Sequence, residues 1–252
     1  MLPAKPETIS ALLLDIEGTT SSVSFVFDVM FPFVRRELKP FLAQHWHTPN
    51  LQATCELIAQ DAGATSFAQW CAKNLASPDM ASHTEAQQAL VIEEVLRLMD
   101  ADVKATGLKQ LQGLIWESGF DSGELQAHVY EDVPPALKRW NAAGKDVRIY
   151  SSGSIQAQKL FFGHTIQGNL LANFRGHYDT TIGSKRESAS YVRIAAAMQY
   201  PAETILFVSD IVAELDAARS AGMQTRLAMR PGNAIQPAGH THAAIHSFAE
   251  IE

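Results

Sequence analysis

Acidic side chains follow two apolar segments that lie far apart in the sequence. Residues 9–14 run into Asp15, with Glu17 two positions further on, and residues 205–208 run through a serine into Asp210. An apolar run that ends abruptly in an acid is typical of a buried parallel strand. Such strands present their carboxyl ends at one sheet edge, where ligands bind. Two carboxylates and a backbone carbonyl there would suit Mg²⁺, although each segment alone could be an ordinary strand end.

Two further segments, each at a predicted strand end or helix start, carry hydroxyl groups or a lysine. A third apolar run leads into Ser151, Ser152 and Gly153, and a helix is predicted from Ser154. Backbone N–H groups at a helix start favour phosphate, but Ser154 alone is better explained as a helix cap. Lys185 follows a glycine just before another helix. Its compact charge suits a phosphoryl group in transfer, whereas alone it would be taken for a surface lysine.

The order of these groups favours phosphoryl chemistry over the alternative that four unrelated features follow one another by chance. An acid pair, a Ser/Gly loop, a lysine and an acid follow one another, each at a strand end or a helix start. Glu17 would be free for proton transfer if the other acids bind a cation. Glu214 lies one helical turn after Asp210 and would either orient a metal-bound water or cap its helix.

The elements that must position these residues alternate between strand and helix over much of the chain. Alternation of this kind predicts an α/β fold with a Rossmann-like parallel sheet. The predicted strands are 9–14, 146–150, 177–180, 204–208 and 223–228. Successive helices over 51–62, 66–76, 82–99 and 107–118 interrupt this pattern. We therefore expect an α/β core from residues 1–20 and 126–252, with a helical cap domain, 21–125, inserted after the first strand.

The composition excludes several other classes of protein. Apolar residues make up 46% and charged residues 19%, which argues against disorder. The net charge of −7 argues against nucleic acid or an anionic membrane as the main partner. Residues 1–7 lack a signal peptide's apolar centre, and no apolar run is long enough to cross a membrane. We expect a soluble, cytoplasmic protein.

Two groups of possible metal ligands are better explained without a metal. Cys55 and Cys71 lie near no other ligand cluster, which favours buried, reduced thiols. His240, His242 and His246 would invite a zinc site, but no cysteine or further histidine stands near them at ligand spacing. We expect these histidines to be solvated or packed.

The motifs, taken together, resemble those of the haloacid dehalogenase superfamily of aspartyl-phosphate phosphatases. That superfamily opens with Asp-x-Asp-Gly-Thr, and here the second acid is Glu17. Asp15-Ile-Glu-Gly-Thr-Thr followed by Ser-Ser-Val-Ser is similar to the enolase-phosphatase family of methionine salvage. The resemblance covers essentially the whole chain, cap included. It extends to Pro32, Val129-Tyr-Glu-Asp-Val-Pro-Pro-Ala-Leu, Ile149-Tyr-Ser-Ser-Gly-Ser and Gly183-Ser-Lys.

The resemblance implies a role for each residue of the motifs. Asp15 would attack phosphorus and form an aspartyl-phosphate, with Lys185 neutralising the phosphate charge. Glu17 would protonate the leaving oxygen and then activate water. One Mg²⁺ per chain would be held by the Asp15 side chain, the Glu17 backbone carbonyl and Asp210. The phosphate oxygens would be held by Ser151, Ser152 and the Gly153 amide, together with Lys185.

The family's substrate is a small phosphorylated metabolite, 2,3-diketo-5-methylthiopentyl-1-phosphate, which is enolised and then dephosphorylated to an acireductone. The base for enolisation stays open between Glu17 and Glu117, and the family suggests a monomer. The first alternative is a phosphatase of the same fold that acts on another small metabolite. A phospho-acceptor signalling module is disfavoured by Glu17 and by the helical insertion. A catalytically dead binding protein is disfavoured because no motif position is lost.

Overall fold

A computed structural model describes residues 8–237 and 239–252 of the chain. The expectation that no signal peptide is present concerns residues 1–7, which lie outside the described part. The chain divides into two compact units. One contains Leu125–Glu252 and the segment that ends at Asp28, and the other is Val29–Glu124. Each unit is described by itself below.

The first unit is built on a six-stranded sheet in the order β3-β2-β1-β4-β5-β6. All five pairings are parallel. The first strand is central and completely buried, as expected for a strand that is covered on both faces. The prediction of a parallel sheet is therefore confirmed. The strands are β1 Ala11–Leu14, β2 Asp146–Tyr150, β3 Gly176–Tyr178, β4 Ile205–Ser209, β5 Gln224–Ala228 and β6 Ala243–Ile245.

The last strand was not predicted from the sequence. Ala243–Ile245 has three residues, two of them exposed alanines, so it carries neither the length nor the periodicity that indicates a strand. It forms because β5 offers a free edge, with Arg226 opposite Ala243 and Ala228 opposite Ile245. Pairing in the folded sheet, not local propensity, decides this element.

The helical unit consists of successive helices, as the sequence predicts. Pro32 lies in the first turn of α1, where it is tolerated, and Pro40 lies inside that helix. The helix predicted from residue 82 begins at Thr84, as α5, because a short helix that was not predicted, α4, ends at Ser82. The helices are α1 Phe31–His45, α2 Pro49–Asp61, α3 Phe67–Asn74, α4 Pro78–Ser82, α5 Thr84–Asp100 and α6 Thr106–Asp121.

Several side chains of the helical unit belong to its own core. Cys55 and Cys71 are free and buried, as predicted. Trp116 is also buried, and its indole N–H donates to the Met30 carbonyl at 3.0 Å. Glu117, on α6, is half-buried.

The helical unit begins eight residues later than the boundary predicted at residue 21, because the intervening segment packs on the first unit. The Ser22 N–H donates to His128 Nδ1 at 3.1 Å, and the Phe25 ring meets the Phe161 ring edge-on at a centroid distance of 5.8 Å. The Phe27 side chain in the same segment is 59% exposed.

The remaining helices belong to the first unit and flank the sheet. They are α7 Val133–Ala142, α8 Ile155–Gly163, α9 Ser188–Met198 and α10 Val212–Ser220. Aromatic rings connect α9 to the sheet, with the Tyr191 ring 5.5 Å from Tyr150 and 5.1 Å from Phe207 between centroids. His242 is buried and lies within hydrogen-bonding distance of Thr225 (2.7 Å) and Asp216 (3.0 Å), so it packs as expected. No helix in the described ranges is long and apolar enough to cross a membrane.

His177, on β3, makes the stability of the first unit depend on pH. Burial, with a smaller effect of Lys159, lowers the pKa of this imidazole from 6.5 to about 4, and its Nδ1 lies 3.2 Å from Gln158 Oε1. Between these two pH values the unfolded chain binds a proton that the folded chain does not bind. The stabilisation by neutral His177 is therefore complete above pH 6.5 and is lost as the pH falls toward 4.

We expect the midpoint of thermal unfolding to fall less between pH 6.5 and pH 4.5 in His177→Asn than in the wild type, because the variant has no imidazole to protonate at this position. Thermal melts at several pH values measure the difference. His240→Asn, at an exposed position of the same unit, is the control. Equal pH dependence in His177→Asn and wild type would contradict the assignment.

Candidate active site

The end of β1 places the Asp15 carboxyl group at the middle of the sheet edge. The Asp15 backbone N–H donates to the Val208 carbonyl at 3.0 Å, so the residue continues the ladder between β1 and β4. The residue is only 3% exposed. Its Oδ1 accepts a hydrogen bond from the Ile16 N–H at 2.8 Å, and its Oδ2 accepts one from the Ser209 hydroxyl at 3.1 Å. These contacts fix the carboxylate in one orientation.

A tight turn after Asp15 leads the chain away from the sheet edge. The Ile16 carbonyl accepts hydrogen bonds from three backbone N–H groups that follow it, those of Thr19 (3.2 Å), Thr20 (2.9 Å) and Ser21 (2.9 Å). Gly18 has a φ of +67°, and a Cβ at this position would lie 2.3 Å from Asp210 Oδ2. Glycine is therefore required here both for the backbone conformation and for the close approach of Asp210.

Lys185 is buried and forms ion pairs with two carboxylates. Its Nζ lies 2.7 Å from Asp15 Oδ1 and 2.7 Å from Glu214 Oε2. Burial alone would lower the pKa of this ammonium group, but the two carboxylates outweigh burial and raise the pKa above its usual range. The surface-lysine interpretation is wrong, and Lys185 stays charged beside Asp15 at any physiological pH.

The loop that carries Lys185 is held by hydrogen bonds from neighbouring helix and strand residues. The Tyr191 hydroxyl donates to the Lys185 carbonyl at 2.7 Å, and the Tyr150 hydroxyl donates to the Gly183 carbonyl at 2.8 Å. Gly183 has a φ of +140°, and a Cβ there would lie 2.2 Å from the Ser190 hydroxyl. The hydroxyl groups of Tyr150 and Tyr191 therefore hold the backbone of this loop, and the loop in turn positions the Lys185 ammonium group.

The loop after β2 lies beside Glu17. Ser151 is buried, and its hydroxyl donates to Glu17 Oε2 at 3.4 Å and accepts a hydrogen bond from the Gly153 N–H at 3.2 Å. Ser152 and Gly153 are half-buried in the same loop. Ser154 accepts a hydrogen bond from the N–H three residues further on, so its role as the cap of α8 is confirmed.

The environment of Glu17 favours the protonated form of its carboxyl group. Burial, followed by the negative charge of Asp15, raises its pKa above the ordinary value, and the opposing effect of Lys185 is smaller. A carboxylic acid kept neutral beside a carboxylate has the property that a general acid needs.

Two further acids complete the cluster at the end of β4. Burial, together with the charges of neighbouring carboxylates, raises the pKa of Asp210 to about 7 and that of Glu214 to about 7. Ser209 lies between Asp15 and Glu214, with its hydroxyl 3.0 Å from Glu214 Oε2. Of the two alternatives for Glu214, the helix cap is wrong, because α10 has no side-chain cap and Glu214 pairs with Lys185 instead.

The donor groups at this edge fit a hard divalent cation. Asp15 and Asp210 offer carboxylate oxygens, and the close approach of Asp210 to the turn is possible only because residue 18 is a glycine. Burial, followed by the negative charges of Asp15 and Glu214, raises the pKa of Asp210, and a bound cation would stabilise its ionised form. In the described part of the chain, no three or more His, Cys, Asp or Glu side chains converge as a metal cluster. The expected set uses two carboxylates and a carbonyl, as Mg²⁺ sites commonly do.

Comparisons with known proteins agree with this geometry. A model of the haloacid dehalogenase-like hydrolases matches residues 9–222. Enolase-phosphatase E1 of Synechococcus elongatus is 47% identical over 98% of this chain and 99% of its own. The protein of the same name from Danio rerio is 41% identical over 91% and 88%. The chain belongs to the enolase-phosphatase family of haloacid dehalogenase-like hydrolases. The resemblance seen in the motifs is thereby confirmed.

A solved structure supports the same fold for this enolase-phosphatase family member. The UTR4 protein of Saccharomyces cerevisiae matches with a TM-score of 0.74 at 34% identity, over 97% of this chain and 100% of that chain. The expected fold class, a haloacid dehalogenase α/β core with a helical insertion, is therefore confirmed.

Sequence analysis missed three residues that shape the site of this enolase-phosphatase family member. Ser209 bridges Asp15 and Glu214. Arg230 is buried, and its Nε donates to the Thr19 carbonyl at 3.1 Å. The Asn233 side chain contacts the turn that follows Asp15. Arg230 and Asn233 belong to a Pro-Gly turn that follows β5 at the same sheet edge. This position at the end of a strand is the feature of the sequence that could have indicated a role in the site.

Proposed function

We propose that this protein converts 2,3-diketo-5-methylthiopentyl-1-phosphate to the acireductone 1,2-dihydroxy-3-keto-5-methylthiopentene and phosphate in methionine salvage. Relatives named Enolase-phosphatase E1, 41–47% identical over most of both chains, support this substrate. The observation that carries the chemical half of the proposal is the buried contact of 2.7 Å between the Lys185 ammonium and the Asp15 carboxylate.

In this proposal Asp15 is the nucleophile. Its carboxylate attacks phosphorus, the bond from phosphorus to the substrate oxygen breaks, and an aspartyl-phosphate forms. A carboxylate that approaches a phosphate dianion is repelled, so positive charge must already be in place. Lys185 supplies such a charge and does not need to move, because the hydrogen bond from Tyr191 and two ion pairs hold it.

Glu17 is the proposed general acid and base. Its raised pKa favours a protonated carboxyl group that can protonate the leaving oxygen, after which the carboxylate activates water against the aspartyl-phosphate. Ser151, Ser152 and the Gly153 amide are proposed to bind the phosphate oxygens. The hydroxyl of Ser151, which contacts Glu17, would connect the phosphate to the proton donor.

Phosphatases of this superfamily typically use Mg²⁺, and we propose one ion per chain, held by the Asp15 side chain, the Glu17 backbone carbonyl and Asp210. When bound, the ion supplies positive charge that lowers the repulsion between Asp15 and the phosphate and that stabilises an enolate. The residues of the chain then orient the substrate and transfer the protons.

We make further proposals about the enolisation base, the cap domain, the oligomeric state and the location of the protein. The base that removes the carbon-bound proton is Glu17 or Glu117, and Glu117→Gln with full enolisation activity would exclude the second. Val29–Glu124 is proposed to be a separate cap domain. We also propose that the protein is monomeric and cytoplasmic, and that it needs neither nucleic acid nor membrane as a partner.

The test is to supply the diketo-phosphate with Mg²⁺ and to follow inorganic phosphate and acireductone absorbance together. We expect the two products in equal amounts, with acireductone formation dependent on phosphate release. Simple phosphate esters at the same concentration should react far more slowly. Hydrolysis of simple esters with no acireductone from the diketo-phosphate would overturn the enolase assignment and favour a phosphatase for another small metabolite.

A further inference from the structure

Asn233 clamps the turn that follows Asp15. Its side chain lies in the Pro-Gly turn after β5, and its Nδ2 donates to the Gly18 carbonyl at 2.8 Å and to the Ala228 carbonyl at 3.1 Å. Gly18 is the neighbour of Glu17, whose backbone carbonyl is a proposed cation ligand. The amide nitrogen therefore holds in place the peptide that follows this carbonyl.

The orientation of the Asn233 amide follows from these two contacts. Both partners are carbonyl oxygens, which only accept hydrogen bonds, so the side-chain atom that faces them must be the NH₂ group. The side-chain carbonyl, Oδ1, then points to the opposite side. This assignment comes from the hydrogen-bond partners and determines what Asn233 can do.

The Oδ1 atom of Asn233 is buried and has no hydrogen-bond partner among the described residues. It borders the same point as the Asp210 carboxylate. A Cβ on Gly18 would lie 2.9 Å from this oxygen and 2.3 Å from Asp210 Oδ2. A buried acceptor without a donor costs free energy. A hydrogen-bond donor for the Asn233 Oδ1 atom must therefore come from outside the described residues.

We propose that Asn233 is a positioning residue for Mg²⁺. The Asn233 Oδ1 accepts a hydrogen bond from a water of the ion's hydration shell, while the Asn233 Nδ2 holds the Gly18 peptide. The inference rests on the cation site proposed above. Mg²⁺ keeps several of its waters in proteins, and these waters are donors. Groups of this kind outside the direct ligands commonly change metal affinity by about 10–100-fold.

The test is titration calorimetry with MgCl₂ on the full chain, without substrate. We expect Asn233→Ala to bind Mg²⁺ about tenfold or more weakly than the wild type. Asn233→Asp loses the hydrogen bonds to the Gly18 and Ala228 carbonyls but keeps an oxygen acceptor, so it should bind Mg²⁺ more tightly than Asn233→Ala. Asn169→Ala, in an exposed loop of the same unit, should not change the affinity.

Two results would overturn the role of Asn233 while leaving the cation site intact. The first is wild-type affinity in Asn233→Ala. The second is an equal loss in Asn233→Ala and Asn233→Asp, which would assign the effect to the clamp alone. Urea unfolding without Mg²⁺ establishes that each variant is folded before titration. If the wild type binds no Mg²⁺, the proposed cation site itself fails, and the inference fails with it.

Discussion

Asp15→Asn is expected to abolish phosphate release, with turnover lower by a factor on the order of 10⁵. The substitution keeps the shape of the side chain, so its carbonyl can still accept the hydrogen bond from the Ile16 N–H. It removes the negative charge that attacks phosphorus, and an amide oxygen cannot form the aspartyl-phosphate. Steady-state phosphate release from the diketo-phosphate at saturating Mg²⁺ measures the loss.

The control for this variant is Asp216→Asn, at a half-exposed position of the same unit, which should keep wild-type turnover. Loss of one carboxylate from a cluster of acids should not unfold the protein, and a thermal melt checks this. If Asp15→Asn kept more than about a hundredth of the wild-type rate, Asp15 could not be the nucleophile.

Lys185→Met is expected to show the second largest effect, with turnover lower by about 10²–10³, the range found when one group that stabilises transition-state charge is removed. The methionine side chain has similar length but no charge. Asp15 and Glu214 then lose the ammonium group that lies 2.7 Å from each of them. Removing one partner of a buried ion pair commonly costs about 3–5 kcal/mol of stability.

The destabilisation of Lys185→Met should depend on pH in a specific direction. Without the ammonium group the pKa of Glu214, already about 7, should rise further, so the folded variant holds a proton where the unfolded chain, with a glutamate pKa near the ordinary 4.5, has released it. The loss of stability relative to the wild type should therefore be smaller at pH 5 than at pH 8, because it grows as the pH rises through about 7. Urea unfolding of Lys185→Met and of the exposed control Lys138→Met at pH 5 and pH 8 measures this. A pH-independent difference would contradict the proposed charge balance.

The strand ends of the site were predictable because each has a strong local signal. A buried strand is apolar over most of its length, so the acid that follows it marks the edge of the sheet, as Asp15 and Asp210 do. Parallel pairing then brings these edges together, with Leu14 opposite both Ile149 and Val208. The family resemblance added roles to positions that the pattern had already placed in one region.

The residues that support the site were not predictable, because their function depends on distant partners. Ser209 is the last residue of β4 and has no distinguishing local signal, and its two carboxylate contacts are 194 and 5 residues away in the sequence. Asn233 contacts a carbonyl 215 residues away. The same limit explains why the pairing of Glu214 with Lys185 was not predicted, since the local position of Glu214 suggested only a helix cap or a contact with a metal-bound water.

The central claim is that Asp15 accepts the phosphoryl group from the diketo-phosphate. The most direct measurement is rapid acid quench of the wild-type protein during turnover, followed by mass spectrometry of the peptide that contains Asp15. We predict a phosphorylated peptide that appears before steady state, is modified at Asp15, and is absent from Asp15→Asn. Release of phosphate and acireductone at full rate with no modified peptide at any quench time would contradict the claim and indicate direct attack by water.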